Sequence, residues 1–319
     1  MKNVVLSAIA AVAVTATSAF AADMPVKAEK AAPVVASPWD IAFGAAIMND
    51  YVFRGITQSN HKGSVAVYFE PRYNITPTTQ LYIGLAGESI SFLNRAAAEI
   101  DFYGGVRQTV GPVVLDVGAW YYYYPGGQCF NTAVFCGVAN LPLNANTMKS
   151  DVSFWEIYFK PTWNVTDAFA LGANLFYTNS FLHSGAKGTY LSATAKYTGP
   201  AMANGIGWYV SGEFGRQYLG TTDSFYGLTG LINGPGINYV DYNTWNLGVG
   251  FTWKVFTLDL RYSDTNLSKG DCNAFTGDFT AGGAGTAVTA INPGGFSSNW
   301  CGARFIAKLS ADLTLGSLK

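Results

Sequence analysis

Two histidines and the serines beside them are the residues of this chain that could carry acid–base or nucleophilic chemistry. Ser59 lies two positions before His61, and Ser184 directly follows His183. A nucleophilic serine needs a base within hydrogen-bond reach and a third group that orients the base. Both pairs fall in segments that we predict to be loops, where histidines are commonly solvated. We therefore expect no catalytic residue and no enzymatic activity.

Four cysteines offer redox or metal chemistry instead. Cys129 and Cys136 share one predicted loop, whereas Cys272 and Cys301 bracket another. Four cysteines allow three connectivities, and two local disulfides are the simplest of them in an oxidising compartment. A metal site is the rival interpretation, but no histidine or cysteine cluster has zinc spacing. The sequence thus predicts disulfides, no metal and no cofactor.

Charged residues are scarce, at 12% of the chain, where a soluble domain has about a quarter. Within the long apolar segments they occupy alternate positions, as the lining of a polar channel would. The candidates for this lining are Asp50, Arg54, Glu70, Arg72, Glu88, Asp101, Arg107, Asp116, Glu156, Lys160, Asp259 and Arg261. Because acids outnumber bases in the whole polar row, we predict a weak preference for cations.

The segments that position these charges alternate apolar and polar residues. In the last segment, Phe305, Ala307 and Leu309 form an apolar row, and Arg304 and Lys308 fall on the other side. Side chains alternate faces along a strand, and a bilayer-crossing strand has about 9–11 residues. About twelve such segments are bounded by turn residues. They are 39–54, 64–76, 80–91, 99–110, 113–124, 151–164, 168–179, 188–198, 206–217, 242–253, 256–264 and 301–315.

Tryptophan spacing indicates that the apolar face meets lipid. Trp155 and Trp163 share the apolar face of one segment, and Trp245 and Trp253 share that of another. Eight residues of tilted strand span roughly 20 Å vertically, about the height between the aromatic girdles of an outer-membrane barrel. The chain also lacks a mature apolar run long enough for a membrane helix. We predict an all-β fold, a transmembrane antiparallel β-barrel of about 12 strands, with a soluble β-sandwich as the alternative.

The connections between segments alternate in length. Short turns face the periplasm and long loops face outside in such barrels. The short turns are 77–79, 111–112, 165–167, 199–205 and 254–255, and the longer loops are 55–63, 92–98, 125–150, 180–187, 219–241 and 265–300.

The N-terminal region indicates export. Residues 1–21 combine a basic start, a short apolar run and a small-x-small cleavage site, which is typical of a secretory signal peptide. Residues 22–38 are rich in Ala, Pro and Lys and are predicted to be a flexible periplasmic leader. Residues 39–319 then form the barrel, which we place in the outer membrane of a Gram-negative bacterium.

The stretch NDYVFRGITQS, residues 49–59, is the sharpest local motif. Continued alternation places Asp50 and Arg54 toward the lumen, with Tyr51 and Phe53 toward lipid. An Asp/Arg pair at that height would be either part of a selectivity ring or a structural ion pair.

This motif resembles the opening of the TorF family of porin-like proteins of the proteobacterial outer membrane, formerly a domain of unknown function. Residues 244–268 look like the penultimate hairpin of that family, and Cys272 with Cys301 looks like its terminal cysteine pair. The resemblance implies an outer-membrane barrel with porin activity.

We therefore predict passive diffusion of small hydrophilic solutes or ions through a polar lumen, in a barrel surrounded by outer-membrane lipid. A plugged structural or surface-exposed protein without transport is the alternative, and a lipid-active outer-membrane enzyme is less favoured. The net charge of −1 argues against a nucleic-acid partner, which would need a basic patch. The sequence does not specify the oligomeric state.

Overall fold

Twelve antiparallel strands close into a barrel, which confirms the predicted fold class. The computed structural model describes residues 38–227 and 234–318. The predicted signal peptide, and the leader up to residue 37, lie outside the described residues. The strands are β1 Trp39–Met48, β2 Val52–Phe53, β3 Ile56–Thr57, β4 Ser64–Thr76, β5 Thr79–Glu88, β6 Glu99–Val110, β7 Val113–Tyr123, β8 Phe154–Asn164, β9 Phe169–Thr178, β10 Gly188–Thr198, β11 Gly207–Leu219, β12 Tyr242–Trp253, β13 Phe256–Thr265 and β14 Arg304–Thr314. β2 and β3 form a separate hairpin, and β1 closes the barrel by pairing with both β4 and β14.

Burial alternates along the wall, so one face of each strand points outward. Along β4, buried residues alternate with exposed Val65, Val67 and Phe69. Trp155 and Trp163 are also exposed on the outer face, as the tryptophan spacing predicts. A closed barrel leaves no unpaired strand edge, and an apolar exterior suits hydrocarbon. The wall is therefore that of a membrane-spanning barrel.

In the described part of the chain, helices lie only in the connections and at the C-terminal end. Two α-helices, α1 Ala133–Cys136 and α2 Lys269–Thr276, accompany the short 3₁₀ segments Phe181–His183, Ser224–Tyr226 and Leu315–Leu318. Within residues 38–227 and 234–318, no helix has the length and apolar character needed to cross a membrane.

The strand connections alternate between short and long, as predicted. Five short turns lie at one end of the barrel: 77–78, 111–112, 165–168, 199–206 and 254–255. Six outer loops lie at the other end, and we number them first to sixth: 49–63, 89–98, 124–153, 179–187, 220–241 and 266–303.

The first strand is shorter than predicted, and this changes the position of the motif. β1 leaves the wall after Met48, and the first outer loop turns into the lumen, where β2 and β3 form their hairpin. The prediction that Tyr51 and Phe53 face lipid is wrong, because both side chains are buried inside the barrel. We call residues 49–63 the hairpin plug.

The remaining outer loops pack together over the same end of the barrel. Aromatic rings of different loops are in contact, as Phe181 and Phe275 are, and asparagine side chains tie one loop to the backbone of another through hydrogen bonds. The bonds run from Asn94 to Lys149 O and Ser150 O, from Asn131 to Phe225 O, and from Asn144 to Asp278 O. The hairpin plug joins this cover through Asn60, which accepts a hydrogen bond from the Trp300 indole at 3.0 Å.

Two disulfides lie within this cover. Cys129 is bonded to Cys136, and Cys272 to Cys301, which is the pairing that the loop positions favour. Among the described residues, no cysteine is free. Each bridge closes a loop on itself, so neither joins two wall strands across a turn.

Reduction of both disulfides is expected to loosen the third and sixth outer loops while the barrel stays folded. The reason is that interstrand backbone hydrogen bonds, not the bridges, hold the wall together. Limited proteolysis with and without reductant measures this, with new cleavage expected inside 124–153 and 266–303. Loss of the β-sheet circular dichroism signal on reduction would contradict the expectation.

Candidate functional site

The tip of the hairpin plug is a tight turn formed by Arg54 and Gly55. Their φ angles are +47° and +82°, and two successive positive φ values are typical of a type I′ hairpin. Gly55 also lies against the wall, because a Cβ at this position would be 2.5 Å from Thr244 Oγ1. Glycine is thus required at this position for conformation and for space.

Asp50 anchors the base of the hairpin plug. Its carboxylate accepts hydrogen bonds from the hydroxyls of Thr57 and Ser59, the latter at 3.0 Å. His61 Nδ1 lies 3.2 Å and Arg304 Nε 3.4 Å from the same carboxylate. Asp50 and Arg54 do not pair with each other, because Asp50 contacts the returning half of its own loop and Arg304 of the last strand.

Arg54 reaches from the hairpin plug to the far wall. Its two terminal nitrogens lie 2.9 Å and 2.6 Å from the two carboxylate oxygens of Glu156, and one of them also lies 2.9 Å from Gln217 Oε1. Burial would lower the pKa of Arg54, but the Glu156 carboxylate outweighs it and raises the pKa above its ordinary value. Aromatic rings surround the guanidinium at 4.5–5.9 Å: Phe53, Phe176, Phe181 and Tyr190. Such a bidentate, charge-assisted pair is stronger and more specific in geometry than a neutral hydrogen bond.

Below the hairpin plug, one network joins five of the predicted lining residues. Glu70 Oε1 lies 2.6 Å from Arg72 Nε and 2.8 Å from an Arg107 terminal nitrogen. Arg107 continues to Asp116 at 3.4 Å, and Lys160 lies 3.6 Å from Asp116. Alternate positions of neighbouring strands place these side chains on one face. The structure therefore brings them together as paired charges.

Tyrosine hydroxyls cover most of the lumenal carboxylates. The donor and acceptor pairs are Tyr68 with Asp312, Tyr82 with Asp116, Tyr122 with Glu156, Tyr190 with Glu213, and Tyr209 with Asp259. Several of these rings lie against glycines of the wall, where a Cβ would collide with the ring. The acids thus lie against the wall behind aromatic rings, while Arg107 lies over the Tyr82 ring at 3.7 Å.

The remaining lining candidates lie at other positions in the lumen. Arg261 pairs with Asp259 at 3.0 Å. Glu88 and Asp101 are buried beside Glu99. The sequence patterns do not reveal which of these charged residues pair, because partners on other strands leave no local signal. For the same reason they miss Gln217 as a partner of the hairpin plug.

Neither serine–histidine pair has the geometry of a nucleophilic site. The hydroxyl of Ser59 donates to Asp50, and that of Ser184 donates to a backbone carbonyl three residues earlier. His61 lies against the same Asp50, and His183 Nδ1 lies 3.6 Å from Asp151. Among the described residues, neither serine is hydrogen-bonded to a histidine, which a nucleophile requires.

Comparisons with solved structures find outer-membrane barrels at low similarity. An outer membrane channel from Pseudomonas putida F1 is 11% identical, with 89% of this chain and 97% of that chain covered and a TM-score of 0.44. The NanC porin is 7% identical, with 86% and 100% covered and a TM-score of 0.40. LpxR from Salmonella typhimurium is 10% identical, with 86% and 99% covered and a TM-score of 0.40.

No curated protein matches the chain in sequence. A family profile, that of a bacterial protein of unknown function (Gcw_chp), matches residues 31–292. This match includes the hairpin plug and all but the last of the barrel strands. The chain therefore belongs to the Gcw_chp family.

Proposed function

We propose that the protein is a narrow outer-membrane channel for small hydrophilic solutes or ions, held closed by its hairpin plug. The observation that carries this proposal is the docking of the plug through polar contacts, above all the Arg54–Glu156 pair. The plug also buries Tyr51, Val52, Phe53 and Ile56, so the closed state is the stable one. In the open state water would rehydrate both charges of the pair, and loss of the pair therefore shifts the balance toward opening.

We propose that passage through the opened lumen favours anions. The excess of acids over bases in the polar row of the sequence predicts a preference for cations instead. The reason for the anion preference is the unequal exposure of acids and bases in the network of Glu70, Arg107, Asp116 and Lys160. The side chains of Arg107 and Lys160 are 19% and 12% exposed, whereas those of Glu70 and Asp116 are 1% and 9% exposed. At the level of this network, where the Tyr82 hydroxyl covers Asp116, a passing ion meets the guanidinium and ammonium groups more than the carboxylates.

Planar-bilayer recording of refolded protein tests both statements. We expect rare, small openings from the wild-type protein, since a barrel of this size is narrower than the general porins. Arg54→Met should raise the open probability, because it removes the ion pair that docks the hairpin plug. The reversal potential of this variant in a potassium chloride gradient should show preference for chloride.

Arg216→Met is the matched control. Arg216 also pairs with an acid, Asp241, at 3.4 Å, but at the outer rim and with 41% of its side chain exposed. Its removal should leave the open probability unchanged. An Arg54→Met variant without conductance would rule out the channel. A reversal potential that shows preference for cations would rule out the predicted preference for anions.

A closed structural protein of the outer membrane is the second candidate function. The observation that favours it is the packing of the described parts of all six outer loops into one hydrogen-bonded cover, with a disulfide inside each of two loops. A closed structural protein would show no conductance in either variant.

We also propose that the protein is not an enzyme, given the serine and histidine geometry above. The TorF-family resemblance of residues 49–59 is consistent with the channel.

A further inference from the structure

Three carboxylates meet inside the barrel below the second outer loop. Glu88 ends β5, and Glu99 and Asp101 begin β6. Glu88 pairs directly with Glu99 across the two strands, and Glu99 and Asp101 are two positions apart, so all three side chains share the lumenal face. Ligand oxygens from the three residues lie within 4.8 Å of one another.

These carboxylates are buried, and two of them have no hydrogen-bond partner. Glu88 and Asp101 are 2% and 0% exposed, and all four of their carboxylate oxygens are without a hydrogen bond, although the Trp120 indole N–H, also unpaired, lies near Asp101. Glu99 differs, since the hydroxyls of Tyr51 and Tyr124 donate to it at 2.5 Å and 2.7 Å. Buried polar groups in native proteins are almost always paired, so these unpaired carboxylates, clustered with Glu99, indicate a missing partner.

The charge of the cluster indicates what that partner is. Three ionised carboxylates so close together repel one another strongly when shielded from water. Lys308 is the basic residue whose charge acts on Glu88, and one ammonium cannot balance three carboxylates. A divalent cation would supply the remaining positive charge.

We propose that Glu88, Glu99 and Asp101 bind a calcium ion. The ligand atoms are all oxygens, which selects a hard cation over zinc or copper. Calcium takes six to eight oxygen ligands in flexible geometry, whereas magnesium keeps several waters and demands an octahedron. An enclosed site of three carboxylates, each able to bind through one or two oxygens, fits calcium better.

The ion would connect the hairpin plug to the wall. Tyr51 belongs to the plug and donates to Glu99, and the second outer loop, which joins Glu88 to Glu99, donates from Ser91 N to Gln58 O of the plug at 2.8 Å. Calcium at this point would hold both ends of the second outer loop and the plug together. The site itself does not depend on the proposed channel activity.

Refolding in detergent, with calcium or with chelator, tests the site. After removal of free ions, elemental analysis should find one calcium per chain in the wild-type protein refolded with calcium. Its melting temperature should be higher than that of the chelator-treated protein, because a ligand of the folded state alone stabilises it. The double variant Glu88→Gln with Asp101→Asn should retain no calcium and show no such difference.

Glu213→Gln is the matched control. Glu213 is also buried, but Tyr190, Asn174 and Asn246 donate hydrogen bonds to it. The Glu213→Gln variant should therefore retain calcium as the wild-type protein does. Terbium luminescence adds a readout that needs no variant. Terbium in the site lies close to the ring of Tyr51, so excitation of tyrosine should give emission that calcium abolishes.

Three results would overturn the proposal. Wild-type protein that retains no calcium and gives no terbium emission would show that the acids are neutralised by protons. Equal retention by the double variant would place the ion elsewhere. An equal rise in melting temperature with magnesium would reject the preference for calcium.

Discussion

Replacing Arg54 by methionine is expected to lower the free energy of unfolding by about 3–5 kcal/mol, the usual cost of leaving one partner of a buried ion pair alone. Both side chains are almost fully buried, at 1% exposure for Arg54 and 0% for Glu156. Without the guanidinium, the Glu156 carboxylate keeps only neutral donors such as the Tyr122 hydroxyl. Urea unfolding of the refolded protein, followed by circular dichroism, measures the loss.

A double-mutant cycle separates the pair from the packing around it. Arg54→Met combined with Glu156→Leu should cost less than either single change, because no uncompensated charge then remains. Arg216→Met should cost about 0–1 kcal/mol, as exposed pairs do. If Arg54→Met cost no more than this control, the ion pair would not be what holds the hairpin plug.

Replacing Leu247 by arginine is expected to cost about 2–4 kcal/mol and to slow insertion into lipid vesicles, since a charge would face hydrocarbon near the bilayer centre. Leu247 lies midway along β12 with 61% of its surface exposed. Refolding yield in vesicles and the urea midpoint in lipid are the measurements. Detergent micelles serve as a comparison, because they deform around a charge more easily than a bilayer does.

Phe256→Arg is the control for depth. Phe256 is an exposed outer-face residue at the short-turn end of β13, where an arginine reaches the interface and should cost about 0–1 kcal/mol. Equal losses at Leu247 and Phe256 would mean that the outer face of the wall does not cross a bilayer.

The barrel wall could be predicted from the sequence because the alternation of apolar and polar residues is contained within each strand. Period-two alternation needs only neighbours in the chain, and lipid on one side with a polar lumen on the other keeps it regular over about ten residues. The strand β10, predicted at 188–198, is observed as Gly188–Thr198. The exposure of Trp155 and Trp163 follows from the same rule.

The hairpin plug could not be read in this way. Tyr51 and Phe53 continue the parity of β1, so the pattern is the same whether the chain continues up the wall or turns into the lumen. What decides between these courses is distant in sequence: Arg54 pairs with Glu156, 102 positions away, and with Gln217, 163 positions away. Local turn chemistry, namely the glycine followed by Thr57 and Ser59, is compatible with the inward course but does not specify it.

The sequence by itself determined the strands, their lipid-facing side, the alternation of short and long connections and the proximity of the cysteines. All of these depend on residues that are close in the chain and on the contrast between lipid outside the wall and a polar lumen inside it. Only the tertiary structure decided which charges are paired, which are covered by tyrosine, and that Glu88, Glu99 and Asp101 converge with four unpaired oxygens. Closure of the barrel causes this difference. It confines the inward side chains of twelve strands and one inserted loop to a single volume, where their distances depend on every strand at once.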